Sequence, residues 1–265
     1  MPLPNLACSG SGKLDSASFS FHGRRALVTG GSRGIGAAIA KSLAAHGAHV
    51  FVNYRDDDRS AQATLHEIEA AGGSATLLKA NLVHPEEIRE MFQRIGESGP
   101  LGVLVHSAAM GVFKPIMELR ANQWDLSFNI NARALLLCAQ EAAKLMQKEG
   151  GKIVSISSLG SSRYVPSYGA IGVSKAAMES LTRYLAAELA PLRINVNAVS
   201  AGLVDTPSVR RHPGYPELQA RTESTAGRAG KPEDIASIVL FLCSPLSGWI
   251  NGQTIVADGG MSLML

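Results

Sequence analysis

The stretch ALVTGGSRGIG at residues 26–36 decides the fold. Its first four residues form a short apolar run that is typical of a buried strand, and an alanine-rich amphipathic segment follows the last glycine. The order strand, glycine turn, helix is that of a dinucleotide-binding βα unit. We therefore predict a dinucleotide site formed by Gly30, Ser32, Arg33, Gly34, Ile35 and Gly36.

Each glycine of this turn has a distinct expected role. Gly30 permits the tight turn, Gly34 lets the backbone approach a pyrophosphate, and Gly36 allows close packing of the helix. The start of the helix offers free N–H groups to the anion. A glycine turn that serves only to reverse the chain is the alternative, and the flanking strand and helix count against it.

The rest of the chain alternates short β-branched runs with longer amphipathic segments, a pattern typical of βαβ units. We predict an α/β protein, a single-domain Rossmann fold with a doubly wound seven-stranded parallel sheet and helices on both faces. The predicted strands are residues 26–29, 50–53, 76–79, 103–106, 153–157, 194–199 and 254–257. The predicted helices are residues 36–46, 59–71, 85–97, 124–148, 174–189 and 231–243.

Two segments, one at the N-terminus and one between the last two predicted strands, lack helical or strand periodicity. Residues 1–22 are rich in Ser, Gly, Asn and Pro, which predicts a flexible N-terminal leader before a domain at 23–265. Residues 203–230 contain three prolines, and we interpret this long irregular segment as a substrate lid.

Composition excludes several classes of protein. The chain has 265 residues, 46% of them hydrophobic, and a net charge of +3 without a long basic run, so we expect no nucleic-acid partner. No apolar stretch approaches the length of a membrane span, and we expect no membrane partner. The three cysteines Cys8, Cys138 and Cys243 are far apart and lack metal-ligand spacing, which favours a cytoplasmic protein with reduced thiols and no metal.

The end of the second predicted strand indicates the type of dinucleotide. An NAD site normally has Asp or Glu there, whereas this strand ends at Asn53, followed by Tyr54 and Arg55. Arg33 and Arg55 are placed to bind a 2′-phosphate, so we expect NADPH. The acidic run 56–58 would either repel that phosphate or form a solvated helix start.

From about Arg24 to its end, the chain resembles the short-chain dehydrogenase/reductase family. The resemblance rests on TGGSRGIG at 29–36, VHSAA at 105–109, WDLSFNINA at 124–132, IVSISS at 153–158, SKAA at 174–177 and NAVSAG at 197–202. It implies further cofactor contacts from Asn81, Leu82, Ser107, Lys175, Gly202 and Val204. The segment 252–260 resembles one that packs between subunits in this family, which implies a homotetramer.

The spacing of one tyrosine and one lysine distinguishes members of this family. In its ketoreductases the catalytic tyrosine lies four residues before the lysine, but that position here is Ile171. Tyr168 instead lies seven residues before Lys175, which resembles the NADPH-dependent enoyl-acyl carrier protein reductases of the divergent bacterial type. Seven residues are close to two helical turns, so both side chains would share one helix face about 10.5 Å apart along its axis.

This resemblance implies hydride transfer to the β-carbon of an enoyl thioester, carried by acyl carrier protein or CoA, in fatty-acid biosynthesis. Tyr168 would donate to the developing enolate oxygen, and Lys175 would hold the ribose and lower the pKa of the phenol. Tyr164 would also contact the substrate. Ser158 would either polarise a carbonyl or bond the backbone at a strand end. The alternatives are an NADPH-dependent 3-ketoacyl or carbonyl reductase and a non-catalytic NADPH-binding protein.

Other polar residues have more ordinary expected roles. Asn131 falls inside a predicted helix, where asparagine is unfavourable, so we expect it to hold a specific hydrogen bond. His46, His49, His66, His84 and His212 lack acidic partners or metal spacing and are interpreted as surface or hydrogen-bonded residues outside the mechanism. Arg210 and Arg211 in the lid could meet an acidic carrier or a phosphate.

Overall fold

The structure is a computed structural model that describes residues 19–264, apart from the side chains at positions 221, 224 and 264. Seven parallel strands form one sheet in the order β3-β2-β1-β4-β5-β6-β7. They are β1 (Arg25–Thr29), β2 (His49–Tyr54), β3 (Ser74–Lys79), β4 (Val103–His106), β5 (Gly151–Ser158), β6 (Ile194–Ala201) and β7 (Thr254–Ala257). The strand order reverses between β1 and β4, and such a switch point opens a crevice at the carboxyl ends of the strands.

Helices cover both faces of this sheet. They are α1 (Gly34–Ala45), α2 (Asp58–Ala70), α3 (Pro85–Glu97), α4 (Ala121–Phe128), α5 (Ala134–Met146), α6 (Gly169–Leu189), α7 (Tyr215–Ala226) and α8 (Pro232–Cys243). A single π-helical turn, Asn129–Arg133, joins α4 to α5.

Side chains alternate between the two faces along each strand, and both sets are buried. Val28 and Val105 pack with α1 and α8 in one core. Leu27 and Leu104 pack with α3, α5 and α6 in the other. Burial on both faces explains why the strands are continuous apolar runs rather than alternating ones. The predicted Rossmann fold is confirmed, and each predicted strand lies within two residues of its observed bounds.

The structure differs from the sequence-based expectation at the N-terminus. The predicted leader 1–22 lies mostly outside the described residues, but its last part is ordered. Phe21 is only 1% exposed and donates its N–H to the His46 carbonyl at 2.8 Å. Phe19 packs against the same core. These aromatic side chains anchor the chain before β1, although isolated aromatics in a polar segment gave no periodic signal.

Two other elements differ from their predicted form. The expected irregular lid 203–230 contains a three-turn helix, α7, and a short 3₁₀ turn at Val209–Arg211. Pro216 lies in the first turn of α7, where proline is compatible with a helix because its missing N–H would be unpaired anyway. The predicted helix 124–148 is interrupted by the π-turn, which widens the helix at Asn131.

Candidate active site

A cleft of about 390 Å³ opens at the carboxyl ends of the central strands. The glycine turn after β1 forms one part of its wall, and the lid and the start of α6 form others. All but one of the residues that the sequence placed in the site line it. They are Gly30, Ser32, Arg33, Gly34, Ile35, Gly36, Arg55, Asn81, Leu82, Ser107, Ser158, Tyr168, Lys175, Gly202 and Val204.

The structure does not bring Tyr164 to the cleft. Its side chain is 89% exposed and lies outside the lining, on the loop between β5 and α6. The family resemblance implied a contact of Tyr164 with substrate, but the loop directs this ring toward solvent.

The glycine turn has the geometry that a pyrophosphate requires. Gly30 adopts a φ of +62°, and a Cβ there would lie 2.7 Å from the Ala108 Cα. A Cβ at Gly36 would collide with the Gly30 carbonyl, so the first turn of α1 lies directly against the turn. The Arg33 side chain does not cap α1. No capping side chain therefore occupies the N–H groups at this helix start, and no side chain would fit at Gly30 or Gly36. The resulting backbone cradle fits a bound phosphate.

The two arginines that the sequence predicts to bind a 2′-phosphate both line the cleft. Arg33 is 3.5 Å from an Asp57 carboxylate oxygen, and Arg55 is 2.6 Å from Asp56. Asp57 accepts from the Ser60 N–H at the start of α2, and Asp58 pairs with Lys79 at 2.9 Å. Asp57 and Asp58 thus support α2 and its neighbours, which matches the helix-start interpretation of the acidic run.

Asn53, the residue before the end of β2, joins the carboxyl ends of β2 and β3 by hydrogen bonds. Its side-chain amide donates to the carbonyls of Leu78 at 3.2 Å and Ala80 at 3.1 Å. The residue is 2% exposed. A neutral amide at this position adds no charge that would repel a 2′-phosphate.

Tyr168 lies just before α6 rather than within it. Its backbone has φ −108° and ψ 7°, and its carbonyl accepts the first helical hydrogen bond from Gly172 at 2.7 Å. A Cβ at Gly160 would lie 2.5 Å from the tyrosine ring, so this glycine makes room for it. Tyr168 therefore reaches the cleft from a turn packed on Gly160, not from a regular helical face.

The phenol is partly buried, and its surroundings set its acidity. Burial raises the pKa of Tyr168, while a hydrogen bond with the Ser158 hydroxyl lowers it. The net pKa is above the ordinary value, whereas the sequence led us to expect that Lys175 would lower it. Removal of the ring from water outweighs the hydrogen bond.

Ser158 has the backbone-bonding role considered for it, and its role on a substrate carbonyl stays a prediction. Its hydroxyl accepts from the Gly160 N–H at 3.3 Å, at the start of the 3₁₀ turn after β5. It also hydrogen-bonds the phenol of Tyr168.

Lys175 is 4% exposed and points inward from α6. Its ammonium donates to the Ile156 carbonyl at 2.6 Å. Burial lowers the pKa of Lys175 to about 8, and the charge of Glu179 one turn later opposes this shift. Glu179 itself accepts from Ser157 and Ser161 at 2.5 and 2.6 Å. Glu179 is not among the predicted site residues, although its i, i+4 spacing from Lys175 is a usable signal.

Asn131 has the hydrogen bonds that its sequence position suggested. It is fully buried in the π-turn, accepts from the Met110 N–H at 2.9 Å and donates to Ser174 at 2.8 Å. Asn131 therefore fastens the loop after β4 to the start of α6.

His106 ends β4 and is fully buried between Thr29 and the Ile130 carbonyl, each 3.1 Å away. Burial, helped by the positive charge of Lys175, lowers the pKa of His106 to about 3. This ring is neutral at physiological pH, and its hydrogen bonds connect β1 to the π-helical turn behind the cleft.

The lid contributes a residue that sequence reasoning set aside. His212 is 5% exposed, lines the cleft and bonds the Pro166 carbonyl at 2.8 Å. Its partner lies 46 residues away, so local patterns carried no signal for it. Arg210 makes two 2.7 Å bonds to Asp205, which engages it within the lid rather than leaving it free for a carrier.

Within residues 19–264, no group of three or more His, Cys, Asp or Glu side chains is arranged to hold a metal ion. In the same range, none of the helices is both long and apolar enough to traverse a bilayer.

Comparison with known proteins places this architecture in one family. A family model described as "Enoyl-(Acyl carrier protein) reductase" matches residues 30–262. A relative from Streptomyces collinus, "1-cyclohexenylcarbonyl-CoA reductase", is 41% identical over 90% of this chain and 86% of its own length. A "Hydroxynaphthalene reductase-like protein Arp2" from Metarhizium brunneum is 36% identical over 91% of this chain and 96% of its own.

Solved structures of dehydrogenases have the same fold as this chain. A putative gluconate dehydrogenase from Agrobacterium tumefaciens has a TM-score of 0.87 at 36% identity, covering 92% of this chain and 98% of that one. A putative NAD(P)-dependent gluconate 5-dehydrogenase from Beutenbergia cavernae, crystallised with NADP at low occupancy, has a TM-score of 0.86 at 32% identity, covering 93% and 99%. The chain therefore belongs to the short-chain dehydrogenase/reductase family of NAD(P)-binding oxidoreductases.

Proposed function

We propose that this protein is an NADPH-dependent enoyl reductase that reduces a trans-2-enoyl thioester, carried by acyl carrier protein or CoA, in fatty-acid biosynthesis. The observation that carries the proposal is the pair Tyr168 and Ser158 in the cleft, with the apolar Ile171 four residues before Lys175. The Streptomyces relative, described as a reductase of an unsaturated acyl-CoA, supports the same bond as the target.

Bound NADPH would supply a hydride to the β-carbon, which leaves negative charge on the thioester oxygen. Tyr168 would donate its proton or a hydrogen bond to that oxygen, stabilising the transition state more than the ground state. Its raised pKa keeps the phenol protonated at neutral pH and so available as a donor. Ser158 would hold the phenol through their hydrogen bond, and Lys175 would bind the ribose hydroxyls.

Preference for NADPH would come from two arginines and from Asn53, which stands where an NAD site normally has an acidic residue. Arg33 and Arg55 would bind the 2′-phosphate, as guanidinium groups pair well with phosphate. Both arginines line the cleft and are paired with exposed aspartates, contacts that are weak in water and can be exchanged for a phosphate. We further propose that the protein acts in the cytoplasm as a homotetramer.

A second candidate is an NADPH-dependent 3-ketoacyl or carbonyl reductase. The bond between Ser158 and the Tyr168 phenol favours it, because a serine and a tyrosine together can also polarise a ketone. A non-catalytic NADPH-binding protein is a third.

The discriminating experiment follows NADPH oxidation with crotonyl-CoA and with acetoacetyl-CoA. We expect faster turnover of the crotonyl thioester, and about a 100-fold lower kcat for Tyr168→Phe with NADPH binding retained, because the variant loses the proton donor but keeps the ring. Tyr164→Phe removes the same hydroxyl from a solvent-facing ring and should behave as wild type.

Each alternative has its own outcome in this assay. Faster turnover of acetoacetyl-CoA would replace the proposal with the ketoreductase. NADPH binding without turnover of either thioester would leave the non-catalytic protein. Full activity of Tyr168→Phe would remove the assigned proton donor.

A further inference from the structure

The loop that delivers Tyr168 to the cleft is conformationally demanding. Ser167, directly before the tyrosine, has a φ of +59°. A side chain in this left-handed region costs roughly 1 kcal/mol, so surrounding contacts must hold the loop. One contact is the Lys114 N–H, which donates to the Ser167 carbonyl at 2.8 Å. The other comes from the lid.

That second contact is made by His212. Its Nδ1 accepts from the Gly214 N–H at 3.0 Å, so the ring carries its hydrogen on Nε2. Nε2 in turn donates to the Pro166 carbonyl at 2.8 Å. Both nitrogens are therefore used, one to shape the lid and the other to hold the loop before Tyr168.

Aromatic packing also connects His212 of the lid, Phe113 and Tyr168. The His212 ring meets the Phe113 ring edge-on at 4.9 Å, and Phe113 stacks on Tyr168 at 6.1 Å. His212 lies between the 3₁₀ turn Val209–Arg211 and α7, which are lid elements. Its bond to Pro166 thus joins the lid to the loop that precedes Tyr168.

We propose that His212 is a positioning residue that couples lid closure to the orientation of the Tyr168 phenol, through its hydrogen bond to Pro166. The bond forms only while the lid lies over the cleft, so the loop is fully held in the closed form. The catalytic part of this inference rests on the proposed role of Tyr168 as proton donor.

The test compares variants that separate the donor from the ring. His212→Phe keeps an aromatic ring but loses the donor to Pro166, whereas Gln in His212→Gln can place an N–H near the position of Nε2. We expect His212→Phe to lower kcat for crotonyl-CoA about 10-fold, as for one lost hydrogen bond, with an unchanged Kd for NADPH. His212→Gln should recover most of that loss, and the exposed His66→Phe should show none.

Two further readouts separate positioning from general destabilisation. Amide hydrogen exchange of residues 163–169, measured without cofactor or substrate, should be faster in His212→Phe than in wild type or His212→Gln. The double variant with Tyr168→Phe should be no slower than Tyr168→Phe alone, because both changes act through one phenol.

Unchanged exchange in His212→Phe, or losses that add in the double variant, would overturn the proposal. So would equal kcat losses in His212→Phe and His212→Gln. A wild-type protein that does not reduce crotonyl-CoA would overturn the proposed function instead, and the exchange measurement would still decide whether His212 holds the loop.

Discussion

Lys175 illustrates the cost of placing a charge in this site. Its ammonium is almost fully buried, with a pKa of about 8 instead of 10.5. At about 1.4 kcal/mol per pKa unit, this shift corresponds to roughly 3 kcal/mol of destabilisation wherever the lysine is charged in both states. The hydrogen bond to Ile156 recovers about 1 kcal/mol.

We therefore expect Lys175→Met to raise the free energy of unfolding by about 2 kcal/mol at pH 7, while activity is lost. The unfolded chain binds more protons than the folded one between about pH 8 and 10.5, so wild-type stability from this group rises across that range. The advantage of the variant should shrink accordingly as the pH rises. Urea denaturation at several pH values measures both effects.

Lys41→Met is the matched control, since Lys41 is exposed and pairs with Glu67 on the surface. Its effect should stay within about 0.5 kcal/mol. A destabilised Lys175→Met at pH 7 would show that the ammonium stabilises the fold.

Individual residues differed in how far the sequence revealed them. Tyr168 and Lys175 were found because seven residues separate them within one local segment. His212 was not, since its partner Pro166 lies 46 residues earlier in the chain, on the loop before α6. Tyr164 was expected in the site from the family resemblance, but the direction of its ring depends on tertiary packing of the loop.

At the scale of elements, the glycine turn and α1 act as one unit. Gly36 packs on the Gly30 carbonyl, so a methyl group there must separate the turn from the helix. We expect Gly36→Ala to raise the Kd for NADPH at least about 10-fold, because the N–H groups of the cradle move apart. Gly102→Ala is the control, since its Cβ would meet ordinary contacts at 3.6 Å.

Isothermal titration with NADPH measures this difference directly. Equal affinities for the two alanine variants would mean that the close packing of α1 has no part in cofactor binding.

The regular elements were largely predictable because apolar periodicity reports burial. All seven strands and most helices follow from it, since both faces of the sheet are covered. The π-turn at Asn129–Arg133 was not predictable, as it depends on hydrogen bonds of Asn131 with Met110 and Ser174. Helix α7 is not predicted from the sequence because the three prolines of this segment favour an irregular loop, although Pro216 lies in the first turn, where it fits.

At the scale of the whole molecule, the edge strand β7 carries apolar surface. Val256 is 53% exposed and Trp249, shortly before the strand, is 87% exposed. Exposed apolar groups at a sheet edge favour association. We expect light scattering to give a mass near four times 27.8 kDa, and Val256→Lys to give a smaller species.

Met117→Lys introduces the same charge at a 93% exposed apolar residue in the turn Ile116–Glu118 and should leave the mass unchanged. A wild-type mass of one chain, or a tetramer in Val256→Lys, would count against association through this edge.

The strand order also governs how the chain can be assembled during synthesis. Strand β1 pairs with β2 on one side and with β4 on the other. Thr29 can therefore pair with His106 only after 77 further residues have been synthesised. Until β4 emerges from the ribosome, β1 has an unpaired edge of backbone N–H and C=O groups beside apolar side chains, a state prone to aggregation. A gene divided between β3 and β4 should therefore yield an insoluble N-terminal fragment, although that fragment contains the whole glycine turn.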